Sequence, residues 1–388
     1  MLKDRYLSAP IVEDLKNKMV FIGGPRQVGK TTLSETLIAH HYAKTVYLNW
    51  DQRQDRQKMM ASEWPGDAKL IILDEVHKYK KWKQLIKGAY DTHKHHFSFI
   101  VTGSARLNLY RKGGDSLQGR YHYYVLHPFS LAELSNIYQK QTPFSELNFR
   151  SPLPELKTLN QFGGFPEPLL KQNERDLRRW HNERIDRLFK EDIRDTSNIK
   201  DIETMKLLGD LLPARSGSLL SINSLREDLE VSHRSVSNWL NILESFYYAF
   251  RIYPYTRSEI RSLKKESKLY LWDWSEISEE GPRFENLIAS HLLKFSDYLH
   301  DREGYKTKLY FLRDLSKREV DFILTIDGKP WFAVEAKTQD KTPSPHLKYF
   351  KNQFKIPFSY QVIQKTGTDV FKDDIRVISA DKFLSALA

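Results

Sequence analysis

The sequence predicts an α/β protein in three parts. Three observations carry that prediction: short aliphatic runs alternate with helical patterns over residues 18–110, the stretch from about 150 to 260 is mostly helical, and strands return after about 265. In the first part, strands are expected at Met19-Val20-Phe21-Ile22, Thr45-Val46-Tyr47-Leu48, Leu70-Ile71-Ile72-Leu73 and Phe97-Ser98-Phe99-Ile100-Val101. Apolar runs of this kind between helices imply a parallel sheet covered on both faces. The expected divisions are 1–150, 151–262 and 263–388, since 388 residues exceed what one core usually holds.

Composition narrows the class. Hydrophobic residues at 40% and charged residues at 29% are the balance of a soluble globular protein. No apolar run reaches the ~18–20 residues that span a bilayer, and Met1-Leu2-Lys3-Asp4 does not open a signal stretch, so no membrane partner is expected. The absence of cysteine excludes disulfides and thiolate metal sites and fits a cytoplasmic location. A net charge of +11 makes a polyanion a plausible partner through counterion release.

The first strand runs into Gly24-Pro25-Arg26-Gln27-Val28-Gly29-Lys30-Thr31, which fits G-x4-G-K-[ST], and a helix opens with Thr32. Its glycines let backbone N–H groups wrap phosphate oxygens. Lys30 would reach the β- and γ-phosphates and Thr31 would give a hydroxyl to Mg²⁺, so ATP and Mg²⁺ are the expected cofactors. The third strand ends in Asp74-Glu75. There Asp74 is expected to hold Mg²⁺ through water, and Glu75 to orient or deprotonate the attacking water. The fourth strand ends at Val101-Thr102-Gly103-Ser104, where Thr102 or Ser104 would sense the γ-phosphate. Arg120 is a candidate arginine finger, within the chain or across a subunit interface.

In the middle part, Ile222, Leu225 and Leu229, then Val236, Leu240 and Leu243, keep helical spacing on either side of the turn Glu230-Val231-Ser232. That is a helix-turn-helix pattern, with Tyr247 to Pro254 as a candidate wing. His233, Arg234, Ser237 and Asn238 would face a DNA groove.

In the last part, Glu319-Val320-Asp321-Phe322-Ile323-Leu324-Thr325-Ile326 and Trp331-Phe332-Ala333-Val334-Glu335-Ala336-Lys337 flank Asp327-Gly328-Lys329-Pro330. A three-residue loop at 327–329 would set Asp321 opposite Glu335 on one face, with Lys337 joining them; a two-residue loop would separate the acids. Two carboxylates on one face suit Mg²⁺ or Mn²⁺, and Lys337 could position a water or stabilise developing phosphate charge.

Two resemblances follow from these residues. The run Gly24 to Thr32, Leu73-Asp74-Glu75-Val76-His77-Lys78, Thr102-Gly103-Ser104-Ala105-Arg106, Leu117-Gln118-Gly119-Arg120, Pro128 to Leu134 and Gly163-Gly164-Phe165-Pro166-Glu167-Pro168 together resemble the bacterial and archaeal AAA ATPases whose C-terminal domain was long of unknown function. The resemblance implies a P-loop AAA core, a helical lid beginning at Gly163-Gly164-Phe165-Pro166, and a homo-oligomer. The last part is similar to restriction-endonuclease-like nucleases with the motif Pro-Asp…(Asp/Glu)-x-Lys, although Val320 stands where the proline would be. That likeness implies a further metal-binding glutamate on the preceding helix, for which Glu285 is the candidate. The expectation is therefore an AAA core with helical lid, a winged-helix-like module and a C-terminal α/β endonuclease-like domain, together an ATP-hydrolysing enzyme that cuts branched or structured DNA. The alternative is an ATP-driven regulatory switch whose nuclease-like domain binds without cutting. Either way the first chemistry is ATP hydrolysis.

Overall fold

The computed structural model describes residues 3–103, 117–150, 153–194, 201–256, 265–339 and 341–388. They form two compact units, Met1–Pro128 and Phe129–Ala388.

In the first unit, β1 (Met19–Gly23), β2 (Thr45–Asn49), β3 (Leu70–Asp74), β4 (Ser98–Thr102) and β5 (Tyr121–Val125) make one sheet in the order β2-β3-β4-β1-β5. All its pairings are parallel. Strands β1 and β3 are buried at every position, as expected of apolar runs shielded on both faces. Four strands fall where the apolar runs place them. The fifth escaped notice because Tyr121-His122-Tyr123-Tyr124-Val125 is aromatic rather than aliphatic; Tyr121 stacks on Phe21 with ring centroids 4.4 Å apart. With β4 between β1 and β3, the carboxyl ends of these three strands converge, and ligands of such sheets bind there.

In the second unit, β6 (Ala249–Pro254), β7 (Lys268–Leu271), β8 (Thr307–Arg313), β9 (Glu319–Ile326), β10 (Lys329–Lys337), β11 (Phe358–Ile363), β12 (Asp369–Lys372) and β13 (Ile375–Ser379) form a second sheet. Its order is β12-β13-β11-β10-β9-β8-β6-β7. One core cluster joins Ile323 of β9 and Ala333 of β10 to Leu347 and Phe350 of the helix Pro345–Phe354.

Two of the expected boundaries move. Residues 129–150 belong with the second unit: Glu133, capping a short helix with Ser130, pairs with the buried Lys294 of helix Glu280–Asp301. Leu131 also donates its N–H to His291 Nε2 at 3.1 Å. The division at 262/263 also disappears, because β6 lies before it yet pairs in parallel with β8. The helix-turn-helix forms as Ile222–Asp228 and His233–Ser245, each capped by a serine side chain, Ser221 and Ser232. The expected wing is not free-standing. Its first strand is β6, an internal strand of the large sheet.

Candidate functional site

The phosphate loop follows β1 without a break. Gly24 sits at φ 134°, and a Cβ there would lie 2.4 Å from the Leu126 carbonyl oxygen, so only glycine fits. Gly29, at φ 97°, turns the chain into the helical run Lys30–Thr32, which continues through Leu33–Ile38. Lys30 is buried and folds back over the loop, donating from Nζ to the carbonyls of Gly24 (3.0 Å) and Pro25 (2.7 Å). Pro25 and Val28 are buried, Arg26 and Gln27 are half-buried, and Thr31 and Thr32 are open to solvent. Arg5, not singled out from sequence, supports the loop from behind: its guanidinium donates to the carbonyls of Val28 (2.9 Å) and His127 (2.5 Å). Nothing near Arg5 in the chain signals that role.

Across the crevice, parallel register sets Asp74 beside both Thr102 and Asn49. Thr102 Oγ1 donates to Asp74 Oδ1 at 2.5 Å and the Tyr47 hydroxyl donates to Oδ2 at 2.7 Å. Asp74 is thus held from two neighbouring strands with acceptor capacity left for a hydrated cation. Glu75 follows in a left-handed conformation (φ 56°), its N–H pinned to the Thr102 carbonyl at 3.0 Å. Burial, opposed by the charge of Lys78 and reinforced by that of Asp74, raises the Glu75 carboxyl above its ordinary value. These residues fit Mg²⁺·ATP: a cradle that a Cβ would fill, a lysine at its rim, and a buried, oriented aspartate. Ser104, the other candidate sensor, lies outside the described residues.

Arg120 requires a correction. It precedes β5 and its carbonyl accepts from the N–H of Met19, the first residue of β1 (3.1 Å). It therefore lies at the amino end of the sheet, one strand length from the phosphate loop, roughly 13 Å at about 3.3 Å per residue. Its guanidinium is engaged by Asp91, at 2.8 and 3.1 Å. A finger role on its own subunit's nucleotide is excluded by parallel pairing, which puts opposite ends of neighbouring strands on opposite edges.

The C-terminal acids reach one face by a different route from the one expected. The turn has two residues, Asp327 (φ 51°) and Gly328 (φ 76°), and Ile326 pairs with Lys329, not Pro330. Carried on unbroken, that register would split the acids. However, Pro330 pairs with Thr325 while Phe332 pairs with Leu324, leaving Trp331 as an extra residue. Its indole is fully buried and donates to the Ser145 carbonyl at 2.8 Å. The bulge moves the register by one and sets Val334 opposite Phe322. Glu335 then follows on the side of Asp321, whose Oδ2 accepts the Ala336 N–H at 2.9 Å. Lys337 Nζ lies 2.8 Å from Glu335 Oε1, and Glu285 is on helix Glu280–Asp301 as expected.

The centre of this group holds a residue that sequence reasoning missed. Lys268, the first residue of β7, is 3% exposed, and its Nζ lies 2.7 Å from Glu319 Oε1, 3.3 Å from Glu285 Oε1 and 3.4 Å from Asp321 Oδ1. Burial alone would discharge it, but the charges of Asp321, Glu285 and Glu319 outweigh burial and hold the ammonium charged. The Tyr270 hydroxyl donates to Glu285 Oε1 at 2.7 Å, and Arg313 pairs with Glu319. Burial, reinforced by the Asp321 charge, pushes Glu285 and Glu335 each up to about 7. Among the described residues no three His, Cys, Asp or Glu side chains are placed to hold one metal ion. The shared metal expected of Asp321, Glu335 and Glu285 therefore does not fit the site as built, because a lysine ammonium stands among the carboxylates.

A glycine cradle, a returning lysine and a clamped aspartate at the carboxyl ends of a parallel sheet define a P-loop ATPase domain. Residues 16–135 match the family described as AAA domain, so the first unit is an AAA-type ATPase domain. Residues 153–275 and 280–383 match two domains of unknown function, DUF8612 and DUF4143. Relatives match most of the chain. An uncharacterized protein of Methanocaldococcus jannaschii, MJ1544, is 23% identical over 368 residues, 88% of this chain and 80% of its own. Another, MJ1637, is 25% identical over 390 residues, covering 87% and 79%. The uncharacterized protein Rv2008c of Mycobacterium tuberculosis is 21% identical over 345 residues, covering 84% and 71%. Among solved structures, the Aeropyrum pernix Orc1 protein in complex with DNA is similar at a TM-score of 0.33 and 13% identity, over 76% of this chain and 94% of that one. Thermotoga maritima RuvB T158V is similar at 0.30 and 17%, over 63% and 86%. Scores this low carry nothing about activity. No helix among the described residues is long and apolar enough to cross a membrane.

Proposed function

We propose that the chain is an ATP-driven protein acting on DNA, in which hydrolysis in the first unit powers or times what the second unit does. The observation that carries the ATPase reading is Asp74, held by Thr102 and Tyr47 beside the glycine cradle. The amides of Gly24 to Thr32 would wrap the phosphates, and Lys30 would exchange the Gly24 and Pro25 carbonyls for β/γ-phosphate oxygens. Thr31 and Asp74 would hold Mg²⁺, whose charge offsets that of the phosphates when bound. Thr102, at the strand tip, links the γ-phosphate position to Asp74, and Glu75 orients water. The test is equilibrium binding of ATP: Lys30→Ala should lose nucleotide binding, and unchanged ATP affinity would refute the assignment.

The DNA reading rests on the net charge of +11 and on the second helix of the helix-turn-helix, where His233, Arg234 and Asn238 are exposed and Ser237 half-buried. The AAA resemblance supports a homo-oligomer. Arg120 remains a candidate only for a neighbouring subunit's nucleotide. Mixed Arg120→Ala and Glu75→Gln subunits test it, and absence of rescue in exchanging subunits ends that role.

For the C-terminal domain, the geometry favours binding without cutting over metal-dependent cleavage of branched DNA. The favouring observation is Lys268, whose ammonium already stands among the carboxylates that would recruit Mg²⁺ or Mn²⁺. Linear and branched DNAs incubated with either ion separate the two readings. Products that vanish in Asp321→Asn would establish the nuclease instead.

A further inference from the structure

The second unit holds a cavity of about 390 Å³ that shares no lining residue with the nucleotide site or with the carboxylates around Lys268. That volume is within the range of small-ligand sites. Four segments meet there: the helix Leu156–Phe162, the start of the helix Glu280–Asp301, the chain just after β11, and the helix Ala380–Phe383. Leu156 and Phe284, both buried, give it apolar walls.

Its buried polar groups are of one kind. Three lining side chains each hold a buried oxygen with no hydrogen-bond partner among the described residues: Asn160 Oδ1, Gln364 Oε1 and Asp381 Oδ1. The Gln364 amide is fixed by its other end, since Nε2 donates to Glu280 Oε1 at 3.0 Å while its main-chain N–H donates to the Lys337 carbonyl at 3.0 Å. Its oxygen is therefore the end left over. Asn160 and Asp381 are 8% and 4% exposed. No ion pair reaches Asp381 among the described residues, and the neighbouring Lys382 is drawn to Asp369 instead. A buried carboxylate without a counter-charge is costly, and the place of Asp381 in the first turn of a four-residue helix offsets only part of that cost. Lys157 also lines the cavity, but it is exposed and its ammonium is served by water.

We propose that this cavity binds a small organic cation, an amine or a guanidine on a short apolar chain. The cationic head would lie on Asp381, Asn160 and Gln364, and the chain against Leu156 and Phe284. An ammonium carries three N–H donors and a guanidinium five, enough for the three oxygens. A neutral ligand of the same shape leaves the Asp381 charge unmet, and an anion is repelled by it. The inference rests on neither the ATPase reading nor the reading of the Lys268 group.

The test is calorimetric titration of the full-length chain with n-butylguanidine and n-butylamine against n-butylurea, which matches the guanidine in shape and lacks its charge. At least one of the two cations should bind saturably and at least tenfold more tightly than n-butylurea. Asp381→Asn should weaken that binding at least tenfold. Without ligand, this variant should melt at or above the parental temperature, because an uncompensated buried charge has been removed. Asn160→Leu, which removes a second acceptor, should weaken binding several-fold. Acetyl-arginine amide identifies the source: affinity equal to that of n-butylguanidine assigns the cavity to an arginine side chain of a peptide, and tenfold weaker binding assigns it to a free cation. A melting temperature of Asp381→Asn well below the parent's would mean that the fold itself uses the carboxylate, and would overturn the proposal. So would equal binding of n-butylurea, unchanged affinity in Asp381→Asn, or no saturable binding of either cation.

Discussion

Replacing Glu75 by glutamine tests the hydrolytic site most directly. The substitution keeps the side-chain length and the main-chain bond from the Glu75 N–H to the Thr102 carbonyl, so the left-handed turn should persist. It removes the carboxylate charge and leaves Lys30, Asp74 and the cradle untouched. Positioned general bases contribute about 10²–10⁴-fold, which at about 1.36 kcal/mol per tenfold is roughly 3–5 kcal/mol of barrier. ATP affinity should remain within a few-fold, because no phosphate contact is lost. The parent should also carry an acid limb in its rate profile. Burial raises the Glu75 carboxyl above its ordinary value, so the working carboxylate is lost as pH falls at a higher pH than for an exposed glutamate. That limb should be missing from whatever rate Glu75→Gln retains. Single-turnover phosphate release between pH 5 and 8, with equilibrium binding of a fluorescent ATP analogue, reads both quantities. Parental turnover in Glu75→Gln, or a variant that no longer binds nucleotide, would refute the reasoning.

Further expectations follow from single contacts. Gly24→Ala should lose ATP binding and cost about 1–3 kcal/mol of stability from backbone strain, since its Cβ would meet the Leu126 carbonyl; a parental melting temperature and affinity would count against the cradle. Arg234→Glu should weaken DNA binding at least several-fold and flatten its salt dependence, while an unchanged binding isotherm would leave the helix-turn-helix as packing. His181 should make stability pH-dependent. Burial works against its charge, but the Asp273 carboxylate, 3.5 Å away, prevails and raises its pKa. The stabilisation is therefore complete below its unfolded value and fades as pH rises through the raised folded one. Urea unfolding of the parent should show that loss between neutral and alkaline pH, and His181→Gln should not; equal slopes would remove His181 from the account.

Local pattern was enough for a large share of this protein. The phosphate loop, the acid pair ending β3, the paired helices Ile222–Asp228 and His233–Ser245, and the hairpin bearing Asp321, Glu335 and Lys337 are each written in one short stretch of chain. Steric demands on glycine and the periods of strand and helix act over a few residues, so they can be read there. What depended on distant segments could not be read so. Arg5 reaches Val28 and His127, Tyr47 reaches Asp74, and Lys268 reaches Asp321 only after folding. The hairpin shows the limit most clearly. Its acids share a face as expected, yet through a two-residue turn corrected by Trp331, whose bulge is anchored on Ser145 far earlier in the chain. Arg120 shows the opposite case: parallel pairing sets it at the amino edge of the sheet, away from its own phosphate loop. Whether the C-terminal carboxylates recruit a metal ion or hold a lysine was decided by tertiary structure alone. Strand β7 arrives from more than 50 residues upstream of β9, and only the folded sheet brings its ammonium among them.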